Sequence, residues 1–258
     1  MRDMLHVAQN PLGRRLFAEA LGTGLLVAGG VGSGIAAVRL SPGNVGLQLL
    51  ENMVATGAIL WVLITVLMPI SGAQLNPIVT AVDGWFGGIA RRDVLPYFLA
   101  QFAGAFIGVV IANLMFGGAA VSIAQQERSG AGLLLGEVVA TFGLLLVIVG
   151  LVRSGRVVLI PAAVGCWIVA ASWFTSSYSF ANPAVVFGRM FSDSFAGIAP
   201  SSVPGFVVAE CIGGFLAVLT AGVLWPRSGI DPLSAQRDQD DSASGAPYDS
   251  GRAPEVHL

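Results

Sequence analysis

Two short stretches decide how this chain folds: Ser71-Gly-Ala-Gln-Leu-Asn-Pro-Ile-Val-Thr80 and Phe180-Ala-Asn-Pro-Ala184. Each holds an Asn-Pro pair followed by a brief apolar run. Asn is a favoured N-cap, and Pro suits the first helical position, where its missing N–H would be unpaired anyway. Each pair therefore starts a helix. If the Asn side-chain oxygen caps that helix, its NH₂ group is left free to donate to a passing solute oxygen. A helix N-terminus also carries about half a positive charge. Two such ends meeting at one place disfavour cations, protons included. Donors at the centre with backbone carbonyls to either side orient water oppositely in the two halves, which interrupts a proton wire. This is a chemistry of passage rather than reaction.

The surroundings are apolar. Of 258 residues, 55% are hydrophobic and 11% charged, with mean hydropathy +0.78. Soluble domains carry roughly 25% charged residues, so most of this surface does not face water. The 34 glycines suit helices that pack closely in lipid. Six runs are long enough to cross a bilayer, at about 16–38, 46–68, 94–116, 131–152, 157–174 and 204–225. They are continuously apolar rather than alternating, which excludes a β-barrel and leaves helices. The first run is too long for a signal-peptide core and lacks a small-residue cleavage site. It reads as a span.

Polar chemistry is sparse. Cys166 and Cys211 lie inside apolar runs and read as small apolar residues rather than a disulfide or metal site. His6 and His257 lie near the ends, which removes imidazole from the membrane core. Gly32-Ser33-Gly34 resembles a nucleophile turn, but close helix packing explains its glycines. The expectation is a chain that is not an enzyme, with no cofactor, no metal and no nucleic-acid partner.

Arginines set the orientation; there is no lysine. Arg14, Arg15, Arg91, Arg92, Arg153, Arg156 and Arg227 share one side if there are six spans, against Arg39, Arg128 and Arg189 on the other. Both termini are then cytoplasmic, in a multi-pass protein of the cell (inner or plasma) membrane. The stretches 69–93 and 174–203 are connections, and the short run after each Asn-Pro pair fits a re-entrant half-helix. Residues 1–13 are expected as a cytoplasmic N-terminus and 14–226 as the membrane domain. Residues 227–258, rich in Asp, Ser, Gly and Pro, read as a disordered cytoplasmic tail.

Landmarks repeat in order. Glu19-Ala-Leu-Gly-Thr23 in span 1 answers Glu137-Val-Val-Ala-Thr141 in span 4. Ala100-Gln-Phe-Ala-Gly104 in span 3 answers Ala209-Glu-Cys-Ile-Gly213 in span 6, with an Asn-Pro pair between in each half. The halves run about 14–116 and 131–225. Three spans per half is odd, so the second half enters from the opposite face. Such inverted repeats place a solute path where interrupted helices meet. The fold class is thus all-α membrane protein: six transmembrane helices plus two re-entrant half-helices in an inverted repeat.

With these residues in hand, the two Asn-Pro stretches resemble the two signatures of the aquaporin, or major intrinsic protein, family, and Glu19 and Glu137 match family positions. The resemblance covers roughly residues 14–226. It implies a homotetramer with one pore per protomer, for small neutral solutes and water. The pore centre would be Asn76, Pro77, Ile78, Asn182, Pro183 and Ala184. Glu19 and Glu137 would hold the irregular loop before each half-helix, rather than relay protons. Glu51 and Glu210 read as interfacial.

Family spacing gives Thr56, Ala170, Ser179 and Val185 as the narrowest constriction. The family's usual Arg is absent, with Val185 in its place, and neither a bulky aromatic nor His accompanies it. The expectation is a wide, arginine-free filter that passes glycerol, urea or undissociated metalloids such as arsenite, as in a bacterial aquaglyceroporin-like branch with Val here that is associated with arsenic. Arg189, one turn beyond Val185, either lines the outer vestibule in the missing arginine's stead or pairs with Asp193. Ile78 replaces the usual Ala and adds bulk that shifts or narrows the centre. Gln74 replaces a common His and removes a pH-sensitive group. The alternatives are a channel mainly for water, an ion-coupled secondary transporter with an inverted repeat, or a structural junction protein.

Overall fold

A computed structural model describes residues 10–226, all helix and loop. The expected cytoplasmic tail lies outside the described residues, as does most of the N-terminal segment. Eight α-helices occur among the described residues: α1 (Leu12–Leu40), α2 (Val45–Ser71), α3 (Pro77–Phe86), α4 (Arg91–Met115), α5 (Ala131–Arg153), α6 (Ile160–Phe174), α7 (Pro183–Arg189) and α8 (Val203–Leu224). Short 3-10 turns, Val157–Leu159 and Pro200–Ser202, lead into α6 and α8. With those turns, six helices are long and apolar enough to cross a membrane. The short α3 and α7 are the two half-helices.

The order span, span, half-helix, span occurs twice. The spans pair alike in both halves: α1 against α4 and α2, α5 against α8 and α6. Each half-helix touches the third span of its own half and of the other, so α3 meets α4 and α8, and α7 meets α8 and α4. The halves are interlocked rather than abutted. Phe187 of α7 stands edge-on to Phe102 of α4, with ring centroids 5.2 Å apart.

Glycine governs how closely α1 and α4 approach. A Cβ on Gly104 would collide with the Ala20 carbonyl, and one on Gly108 with the Gly24 carbonyl. Small residues let membrane helices approach to backbone contact where no hydrophobic drive exists between them. Large apolar side chains such as Phe17, Trp61, Val66, Leu95, Phe215 and Val223 point outward and stay exposed. Inside, polar residues are buried in unusual number for so apolar a chain, among them Glu19, Gln101, Glu137 and Glu210, all fully enclosed.

Three arginines counted toward orientation have structural partners. Arg15 Nη2 meets Asp93 Oδ2 at 2.8 Å with both side chains buried. Arg39 Nη2 donates to the Phe116 carbonyl at 2.7 Å. Arg128 is also buried, and its Nε donates to the Gly197 carbonyl at 2.9 Å, pinning the loop before α5 to the loop after α7. Burial lowers the pKa of Arg128, and the nearby Tyr178 and Glu137 oppose that effect.

Gly108→Val should lower the stability of the detergent-solubilised protein by about 2 kcal/mol or more, because the new side chain meets backbone that cannot give way. Gly132→Ala, with open space around it, should leave stability nearly unchanged. Thermal melts followed by size-exclusion chromatography measure both, and equal melting points would refute close packing of α1 on α4.

Candidate functional site

The loops before the two half-helices are superposable in backbone conformation. Ala73 and Leu75 have φ of 45° and 50°, and Ser179 and Ala181 have 52° and 48°. These lie three and one residues before each Asn. Left-handed backbone at non-glycine residues costs on the order of 1–3 kcal/mol each, and persists only where the surroundings impose it. The imposing group is a buried carboxylate. Glu19 Oε2 accepts from Leu75 N at 2.7 Å, and its Oε1 from Gln74 N at 3.0 Å and Ser71 Oγ at 2.6 Å. Glu137 accepts from Phe180 N at 2.9 Å and Ala181 N at 2.7 Å. Both carboxylates therefore accept from amides of the loop before the half-helix in their own half.

Each Asn caps its helix as its type predicts. Asn76 Oδ1 accepts from Ile78 N at 2.9 Å, and Asn182 Oδ1 accepts from Ala184 N at 3.0 Å. Their amide groups differ from the expectation of being free. Asn76 Nδ2 donates to the Ala181 carbonyl at 2.7 Å, and Asn182 Nδ2 donates to the Leu75 carbonyl at 2.8 Å. Each Asn thus ties its helix to the opposite loop and has one remaining N–H to offer. No local sequence signal could show a bond between residues more than a hundred positions apart.

Glu210 corrects the interfacial reading. It is fully buried, and its Oε1 accepts from Asn182 N at 2.6 Å. Its counterpart in the repeat is Gln101, whose Nε2 donates to Glu19 Oε2 at 2.8 Å and to Thr80 Oγ1 at 2.9 Å. The alignment of Ala100-Gln101 with Ala209-Glu210 was the signal that could have found it. Glu51 is partly exposed near the start of α2 and accepts from Ser41 Oγ at 2.6 Å, in keeping with a position near a span end.

Ile78 does not simply narrow the centre. A Cβ on Gly214 of α8 would lie 2.6 Å from Ile78 Cγ2, so that branch is seated in the wall where glycine leaves room. Gln74 Nε2 donates to Asp83 Oδ2 at 2.7 Å, so the position that lacks His still contacts a titratable group. Of the expected filter residues, Thr56, Ser179 and Val185 are buried while Ala170 is exposed on α6. Thr56 Oγ1 donates to the Asn52 carbonyl at 2.8 Å. Pro77, Pro183 and Ala184 form the buried first turns of α3 and α7. Arg189 does not pair with Asp193, which accepts from Gln125 N instead. Its guanidinium lies over the Phe180 ring, 4.4 Å from the centroid. Arg189 closes the same short helix that carries Val185, four residues further on. Among the described residues, no group of three or more His, Cys, Asp or Glu could hold a metal.

The carboxylates give a contrast to test. Glu19→Gln places an NH₂ group among donors and should destabilise the protein by about 2 kcal/mol. Glu210→Gln can still accept from Asn182 N and copies the Gln101 arrangement, so it should cost little. Thermal stability and solute flux of the two variants measure this, and equal losses would refute the assigned roles.

Comparison with known proteins fits this geometry. Residues 6–188 match the model of the Major intrinsic protein family. The chain is 48% identical over 207 residues to the aquaglyceroporin AqpS of Rhizobium meliloti (strain 1021), covering 80% of this chain and 88% of that protein. It is 30% identical over 234 residues to the probable aquaporin AqpM of Archaeoglobus fulgidus, covering 80% and 94%. The X-ray structure of the aquaglyceroporin from Plasmodium falciparum shares the fold, with a TM-score of 0.68 at 22% identity over 88% of this chain and all of that one. The chain belongs to the major intrinsic protein family, and so is a multi-pass membrane channel for water and small solutes rather than an enzyme.

Proposed function

We propose that the channel passes neutral solutes larger than water: glycerol, urea and undissociated metalloid hydroxides such as arsenite. The observation that carries this reading is Val185 at the position of the family's filter arginine, beside the small side chains of Thr56, Ala170 and Ser179. The similarity to an aquaglyceroporin supports it. Passive passage is supported by the state of the central acids. Glu19, Glu137 and Glu210 are all engaged by backbone amides, so an ion-coupled cycle would have to break the loops that form the pore. Residual N–H groups on Asn76 and Asn182 orient solute oxygens at the centre. We take the assembly to be the homotetramer of the family, in the cell membrane with both termini cytoplasmic.

Light-scattering assays on proteoliposomes, with gradients of water, glycerol, urea and arsenite, test the substrate range. Solute flux well above that of empty vesicles is expected. Fast water flux without solute flux would overturn the reading. Val185→Arg should cut glycerol and urea flux by about tenfold, since a fixed guanidinium adds both bulk and charge. Unchanged uptake by that variant would sink the claim that this position sets the filter.

A further inference from the structure

Arg189 ends α7, and its surroundings do not account for its charge. The residue is 6% exposed. It shares the Phe180 ring with a second cation: Arg189 lies 4.4 Å from the ring centroid and Arg128 5.2 Å. Arg128 spends its donors on the Gly197 and Phe195 carbonyls. Arg189 does not. Among the described residues it makes no ion pair and no hydrogen bond, and its Nε is buried without a partner. A desolvated cation with unfilled donors is costly unless something fills them.

Gly30 of α1 shows where the guanidinium points. A Cβ built on Gly30 would lie 3.1 Å from Arg189 Nη2 and 3.7 Å from Thr56 Oγ1. Both atoms therefore flank one small space that exists because residue 30 has no side chain. Thr56 Oγ1 spends its proton on the Asn52 carbonyl, which leaves it an acceptor toward that space. A donor and an acceptor thus both lie beside the small space left open at residue 30. A hydroxyl group, which accepts and donates at once, complements that pair.

We propose that Arg189 is a specificity-determining residue of the outer filter. It supplies, from one turn beyond Val185, the donor that Val185 lacks, and with Thr56 and Gly30 it forms a binding step for hydroxyl-bearing neutral solutes. Phe180 holds the guanidinium by stacking, which leaves the N–H edge free. This rests on the substrate reading above and adds the residue that enforces it.

Accessible cysteines separate a pore-lining side chain from one buried in the wall. Cys166 and Cys211 are exposed, so both are first replaced by Ser. In that background, Arg189→Cys should react with a membrane-impermeant thiol reagent applied from the face opposite the termini. The modified channel should lose most of its glycerol flux. No reaction, or a reaction that leaves glycerol flux unchanged, overturns the proposal. Gly30→Ala keeps the arginine and pushes only the flexible end of its side chain. It should reduce glycerol flux by about tenfold and water flux far less; equal effects on both solutes, or none, also overturn it. If the unaltered channel passes water but no glycerol, the substrate reading fails, while the thiol reaction at position 189 still reports whether that side chain faces the path.

Discussion

Backbone amides in the middle of a bilayer have no water to bond, and the two loops that enter it meet that constraint with buried carboxylates. Glu19 collects the N–H groups of Gln74 and Leu75, and Glu137 those of Phe180 and Ala181. With those amides taken, the carbonyls of the same residues are turned elsewhere. Two of them, on Leu75 and Ala181, receive the Asn amides of the opposite half. The left-handed residues, the Asn caps and the short helices follow from that one arrangement. An acid at the centre of a membrane protein usually suggests ion movement. Here it acts as a fixed set of acceptors for strained backbone.

Interlocking follows from the same bonds. Each half-helix packs on the third span of both halves, so the pore centre has no wall that belongs to one half alone. Phe187 against Phe102 and Ile78 against Gly214 make the same crossing with apolar groups. The two halves nevertheless differ in one buried position. Gln101 donates to Glu19, whereas Glu210 accepts from Asn182 N. The repeat preserves geometry more strictly than it preserves the chemistry that supports it.

Much of this was legible in the chain. Spans and half-helix starts rest on local rules, hydropathy over a window and capping preference, whereas the role expected of Glu19 and Glu137 came from the family resemblance alone. Those rules need few distant contacts. What escaped them is tertiary. Glu210 read as interfacial because its position along α8 says nothing about which loop it meets. The Asn amides read as free because their acceptors lie in the other half. Arg189 was undecided between a vestibule and Asp193, and Phe180 with Gly30 decides its direction. Ile78 read only as added bulk that shifts or narrows the centre, because the glycine beside its Cγ2 lies on a different span.

The reciprocal Asn bonds also bear on how the protein is made. During synthesis the first half enters the membrane before Ala181 exists. Until then the Asn76 amide and the Leu75 carbonyl lack their native partners in a medium that supplies few others. Ala181 and Asn182, adjacent in the chain, supply both missing partners together.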